Sequence, residues 1–322
     1  MDAKPKDMNG KISVLLKGVF LLAIFTVLTP PVRAAEYRVQ SGDHFIIQFT
    51  EKDMATADLL TGKVEEIRTR IIRDIGLDFP GKTVVIIAPT IETFQRLGPG
   101  LPWIPLWAAG AAFPEHNLII LRSPRAIQRG HIDPLSVFTH EFTHIALGIA
   151  LRDTPVPVWL AEGLAMYEAR EWTFDRTMVL TKAVLSGRLI PLKGLSGSFP
   201  IEEDQAELAY AESFMFISFL INSMGRDVFH RFILDYSRSG DLRGSLRRTA
   251  GLSLEELEEQ WLFYLKVRVS WIPILTSAGA LWFIASLIFL YGYFRKRHRS
   301  TVKLREWAEL ETQQDEDKRE GS

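Results

Sequence analysis

Trp271 to Phe294 (WIPILTSAGALWFIASLIFLYGYF) holds no Asp, Glu, Lys or Arg. No other stretch limits the possible architecture as strongly. As a helix it covers about 36 Å, enough to cross the roughly 30 Å of bilayer hydrocarbon. A buried helix of a globular protein has no need of an apolar surface all the way round. Trp271 opens the run and Tyr291, Tyr293 and Phe294 close it, as aromatic residues do at headgroup level. Arg295-Lys296-Arg297-His298-Arg299 follows at once. Positive flanks stay in the cytoplasm, so the C-terminus is expected there and residues 36–270 outside. A shorter apolar run, Gly18 to Leu28, is preceded by Lys4, Lys6, Lys11 and Lys17 and followed by Pro30-Pro31-Val32-Arg33-Ala34-Ala35. That is the pattern of a secretory signal peptide, with an uncleaved membrane anchor as the alternative. The expected organisation is a signal peptide over 1–35, an extracytoplasmic domain over 36–270, a transmembrane helix over 271–294 and a cytoplasmic tail over 295–322.

The 322 residues include no cysteine. This excludes a disulfide scaffold, a thiolate zinc finger, an iron–sulfur cluster and a cysteine nucleophile. The net charge is −1, but residues 36–270 alone carry 25 basic and 30 acidic residues. An acidic domain lacks the basic face that binding nucleic acid requires, so no nucleic-acid partner is expected.

Within 36–270 the pattern changes midway. Strands are expected at His44–Thr50, Thr83–Ala88 and Asn117–Leu121, the second buried on both faces for its β-branched run. Helices are expected over 53–75 and 91–97 from their apolar spacing. Residues 98–116, rich in Gly, Pro and Trp, read as a long loop in which Trp103, Trp107 and Phe113 could line a cleft. From Pro134 to Ser270 only helices are expected. The fold class is therefore α+β, a small N-terminal sheet followed by a helical C-terminal part.

The chemistry sits at the start of the helical part. Asp133-Pro134 is a good helix opening. His140, Glu141 and His144 then form H-E-x-x-H. Residues four apart on a helix are about 40° apart around its axis, so both imidazoles can reach one metal. Glu141 projects nearby and can reach water at that metal without ligating it. Catalytic zinc needs a third ligand and an open position. Glu162, on the next helix among apolar neighbours, is the candidate, with Glu168 and Glu171 as runners-up. Without cysteine, the donors must be nitrogen and oxygen.

HEFTH followed by WLAEGLAMYEA resembles the gluzincin metallopeptidases, and the Pro-x-Trp-Leu-x-Glu-Gly-x-Ala-x-Tyr wording is similar to the bacterial branch called peptidase MA-like. The likeness covers roughly residues 115–265, with Ala209-Tyr210-Ala211-Glu212-Ser213 and Gly251-Leu252-Ser253-Leu254 in the same order. It implies a thermolysin-type fold, one zinc per chain held by His140, His144 and Glu162, and Glu141 as general base. It also implies an oxyanion donor from a later helix, with Tyr210 as first candidate and His230 and Tyr236 behind it. An edge strand that pairs with an extended peptide would be Asn117–Leu121. The substrate would be a protein or peptide. The sequence lacks a Gly-x-Met-Glu-Asn motif for holding an N-terminal amine, which favours endopeptidase action. The alternatives are a pseudo-enzyme acting as a membrane-anchored binding module and a zinc hydrolase of a non-peptide substrate. His44, His116 and His131 read as surface or loop residues. Ser253-x-x-Glu256 reads as a capping box, and the neighbouring glutamates as one solvated face.

Overall fold

The computed structural model describes residues 36–98, 108–127, 132–152, 154–200, 202–269 and 279–298. The expected signal peptide, Trp103, Trp107, His131, the first part of the expected span and the tail beyond 298 lie outside the described residues.

The N-terminal part is a five-stranded sheet, β1 (Tyr37–Ser41), β2 (Phe45–Thr50), β3 (Thr83–Ala88), β4 (Gly110–Phe113) and β5 (Leu118–Arg122), in the order β1-β2-β3-β5-β4. The three central strands are parallel, and each edge strand pairs antiparallel with its neighbour. Three strands were expected, and the two edges were not. β4 is four residues drawn from the Gly- and Pro-rich stretch expected to be loop. Its presence displaces Asn117–Leu121 from the expected edge position, because β5 lies between β3 and β4.

α1 (Met54–Thr61) and α2 (Val64–Ile75) replace the single helix expected over 53–75. The break falls at Gly62-Lys63, where glycine makes helix continuity cheapest to lose. α3 (Ile91–Leu97) follows β3. Two apolar clusters flank the sheet. On one side Phe45, Ile47, Val85, Ile87 and Ile119 join the main core with the helices. Ala88, Phe94, Phe113 and Ile120 form a small second cluster. β3 alternates buried with half-buried residues, so its burial on two faces is only partial.

Among the described residues, the regular elements from 134 to 269 are all helices, as expected: α4 (Pro134–Ala150), α5 (Val158–Ala169), α6 (Phe174–Ser186), α7 (Glu203–Met224), α8 (Arg226–Ser239), α9 (Leu242–Ala250) and α10 (Leu254–Val269), with the longest connection between α6 and α7. Phe45 of β2 meets Phe138 and Phe142 of α4 edge-on at 5.4 and 5.2 Å, fixing α4 against the sheet. Trp159 of α5, Phe216 of α7 and Trp261 of α10 form a second aromatic chain, at 5.0 and 5.3 Å. Ser253 and Glu256 make the reciprocal capping bonds read from the sequence, at 2.7 and 3.2 Å. Glu258 departs from the solvated face expected for it, since it accepts the Leu192 N–H at 2.9 Å.

Residues 279–298 form a further helix, α11, whose Trp282, Phe283, Phe289 and Tyr291 are exposed. Among the described residues, no helix is long and apolar enough to cross a membrane.

Glu212 of α7 is fully buried and accepts the Ile190 N–H at 3.0 Å. Burial pushes it up to about 8, with the Ile190 bond opposing and Glu258 adding to the rise. The folded chain therefore keeps a proton between pH 4.5 and 8 that the unfolded chain releases. Stability is full below that window and falls as pH rises through it. Glu212→Gln is neutral throughout and can still accept the Ile190 bond. Its stability relative to the parent should rise by roughly 1.4 kcal/mol per pH unit across the window. Urea melts at pH 5 and pH 8 measure this, and an unchanged difference would refute it.

Candidate metal centre

α4 presents two different faces. Asp133 caps its first turn by accepting the Leu135 N–H at 3.0 Å. Phe138, Phe142 and Ile145 face the core, while His140 and His144 lie half-buried on another face with ring centroids 4.9 Å apart. α5 brings Glu162 opposite them. His140 Nε2 lies 3.6 Å from Glu162 Oε2, and His144 Nε2 lies 3.8 Å from Glu162 Oε1.

This arrangement fits zinc. One ligand atom from each of the three residues lies within 4.8 Å of the others. Donors about 2.1 Å from a tetrahedral ion stand about 3.4 Å apart, close to the spacings here. The donor set, two imidazoles and a carboxylate, is one that catalytic zinc uses. The electrostatics agree. Burial opposes charge on His140, but Glu162 and Glu171 at its two ring nitrogens raise it to about 10. Burial drives His144 down to about 4. Burial would raise Glu162, but His140 and His144 hold it below the usual carboxylate range. The carboxylates of Glu162 and Glu171 favour positive charge at His140, and burial keeps His144 neutral.

Glu141 is buried beside this point, and burial pushes it up to about 7. Its neighbour is the edge strand. A Cβ built on Gly110 of β4 would stand 2.6 Å from Glu141 Cγ and 2.7 Å from its Oε1. Only glycine lets the strand come this close. Gly110→Ala should push the Glu141 side chain aside while leaving zinc content unchanged, and a crystal structure of the variant with Glu141 unmoved would show that it has room for the added methyl group.

Tyr210 of α7 is half-buried, edge-on to Phe199 at 5.0 Å. Burial and the negative charge of Glu162, Glu207 and Glu141 push its hydroxyl up to about 12, with Arg176 opposing. Tyr236 and His230 are structural. The Tyr236 hydroxyl donates to the Pro155 carbonyl, and the half-buried His230 ring occupies the space beside Gly76, whose φ is 83°. His44 is paired with Glu65 at 2.8 Å, and His116 is exposed in a short turn.

The runner-up ligands go elsewhere. Glu168 is buried, 3.4 Å from Arg70 Nε, and burial and the nearby Asp74 push it above the usual carboxylate range. Glu171 turns back from the end of α5, where Arg170 has a φ of 57° and the Glu171 N–H bonds to the Met166 carbonyl at 3.0 Å. There Glu171 Oε1 lies 3.3 Å from His140 Nδ1. Arg176 of α6 donates to the Glu171 carbonyl and faces Glu207 at 3.5 Å. A carboxylate in this place can orient a ligand imidazole by accepting its ring N–H. The sequence showed no helical spacing for this contact, because the left-handed turn at Arg170 creates it.

Residues 78–267 match the Peptidase MA superfamily. The chain belongs to that superfamily. The match takes in the metal centre, β4, β5 and most of α10. A comparison of this superfamily member with curated protein sequences finds no match. Among solved structures, a mutant two-domain M1 zinc metallopeptidase bound to L-arginine is similar over 72% of this chain and 51% of its own, at 17% identity and a TM-score of 0.44. A mutant M1 zinc metallopeptidase from Deinococcus radiodurans, bound to a Tyr-Ser-Ala substrate, is similar over 70% and 51%, at 16% identity and 0.44. A third, bound to L-tryptophan, gives 72%, 51%, 17% and 0.41. The chain spans about half the length of these structures.

Proposed function

We propose that the chain is a zinc-dependent peptidase, an endopeptidase, that hydrolyses protein or peptide substrates outside the cytoplasmic membrane, with residues 271–294 as its anchor. The observation that carries this reading is the convergence of His140, His144 and Glu162 with Glu141 buried beside them. Bound there, one zinc per chain supplies Lewis acidity, polarising a carbonyl and making water acidic near neutrality.

The chain's own residues do the rest. His140, His144 and Glu162 hold the ion, and Glu171 keeps the His140 ring turned toward it. Glu141 takes a proton from the attacking water and hands it to the leaving amine. Burial raises Glu141 above the usual carboxylate range, which strengthens it as a base. Tyr210, protonated at any physiological pH, donates to the oxyanion that forms on the scissile carbonyl. The absence of an amine-holding Gly-x-Met-Glu-Asn sequence favours cleavage within a chain.

The anchor reading rests on the uncharged run and the basic cluster after it. It is supported by the exposed apolar side chains of α11, which water does not favour.

The test is metal analysis and hydrolysis on the full-length protein. About one zinc per chain is expected, with internal cleavage of N-acetylated peptides that a chelator stops and zinc restores. Zinc-free protein, or chelator-resistant cleavage, refutes the catalytic reading. A reporter fused after Ser322 should read as cytoplasmic, and an external signal overturns the topology.

A further inference from the structure

α10 is apolar on two sides. Inward, Leu257, Trp261 and Leu265 are fully buried in the main core. Outward, Phe263 is 70% and Val267 57% exposed, four residues apart on one stripe. Folding of the domain does not account for that second stripe. Phe263 and Val267 border a groove of about 970 Å³ between α10 and α7, with Phe219 and Tyr264 in its wall, Glu259 and Gln260 toward the start of α10 and Arg268 toward its end. Arg268 lies over the Tyr264 ring at 5.6 Å.

Two facts identify what covers this groove. The first is chain length. Val267 precedes Trp271 by four residues, which span about 14 Å at most. If the apolar run enters the bilayer at Trp271, the groove cannot lie far from the headgroups. The second is the order of charge and ring type. Glu255, Glu256, Glu258 and Glu259 fall in the first turns of α10, and Lys266 and Arg268 in the last. Tyr is enriched at the membrane interface, and helices that lie in it carry Phe on the apolar face and Lys or Arg on the polar face, the latter drawn to anionic lipid.

We propose that the outer stripe of α10 docks on the bilayer surface, with Phe263 and Val267 in the interface and Arg268 at the anionic headgroups. The domain then rests on the membrane at a defined angle rather than swinging on a tether. This inference depends on the anchor reading of residues 271–294 and extends it to a surface of the folded domain.

The chain has no cysteine, so single labels can be placed cleanly. Full-length Phe263→Cys and Val267→Cys proteins, each carrying a fluorophore, are reconstituted in phosphatidylethanolamine–phosphatidylglycerol vesicles with or without bromine on the upper acyl carbons. Val39→Cys, on an exposed position of β1, is the control. The expected result is loss of emission in brominated lipid at 263 and 267, and none at 39. A chain that floats with the vesicles while its label at 263 stays bright overturns the docking and leaves the anchor standing. Equal quenching at all three sites also overturns it. A chain that does not float refutes the anchor, and the docking with it. Shielding of the label in detergent, together with a doubled mass, would assign the groove to a second copy of the chain instead.

Discussion

Glu141→Gln should lower peptide hydrolysis by about 10²- to 10⁴-fold, the range general acid–base groups supply, while zinc stays bound. The two outcomes separate because of where Glu141 lies. It is not among the three converging side chains, yet it is buried next to them against Gly110. Glutamine matches its volume, so the β4 contact persists and only the proton carrier is lost. His144→Ala gives the complementary result. It removes one of three donors, and zinc and hydrolysis should be lost together. Equilibrium dialysis against zinc and kcat on an N-acetylated peptide distinguish the two variants. If Glu141→Gln retained its rate, proton transfer would have to come from elsewhere. If it lost zinc, Glu141 would be a ligand and could not be the base.

Gly163→Ala should be the most damaging small change in the helical part. A Cβ there would meet the Ser213 carbonyl oxygen at 2.4 Å and Ile217 Cγ1 at 2.7 Å. Side chains can rotate away from such a clash, but a carbonyl already inside α7 cannot. The helices must separate, at a cost of about 1–3 kcal/mol, typical of overpacking. For a domain of this size that lowers Tm by about 3–10 °C. Gly163 directly follows Glu162, so the same separation draws the third ligand away from α4. A weaker zinc affinity should accompany the lower Tm, measured by competition with a chromophoric chelator. A variant that melts like the parent would show that α5 and α7 can slide without loss.

Much of the site was legible in the sequence because a helix converts spacing directly into direction. His140 and His144 share a face for that reason, and Asp133 caps α4 as its type and position indicated. The three central strands were legible as short apolar runs, with Thr83–Ala88 marked by its β-branched residues. β4 was not, because four residues of Gly, Ala and Phe among glycines and prolines carry no alternation. Only pairing with β5 makes them a strand. The break between α1 and α2 was hidden by an apolar spacing that continues across Gly62.

The carboxylates mark the division most clearly. By itself, the sequence determined which residue types were available. It offered nitrogen and oxygen donors without thiolates, a two-histidine motif on one helix, several glutamates after it, and an apolar run behind them. Tertiary structure decided which glutamate does what. Glu162 faces the imidazoles, Glu168 turns to Arg70 and Asp74, and Glu171 stands behind His140. The reason is physical. Spacing along one helix fixes angles within that helix only. The rotation of α5 about its axis is set by the packing of Gly163 and Trp159 on α7, and the return of Glu171 by a left-handed turn at Arg170. These are long-range contacts and a single backbone dihedral, and neither leaves a period in the sequence.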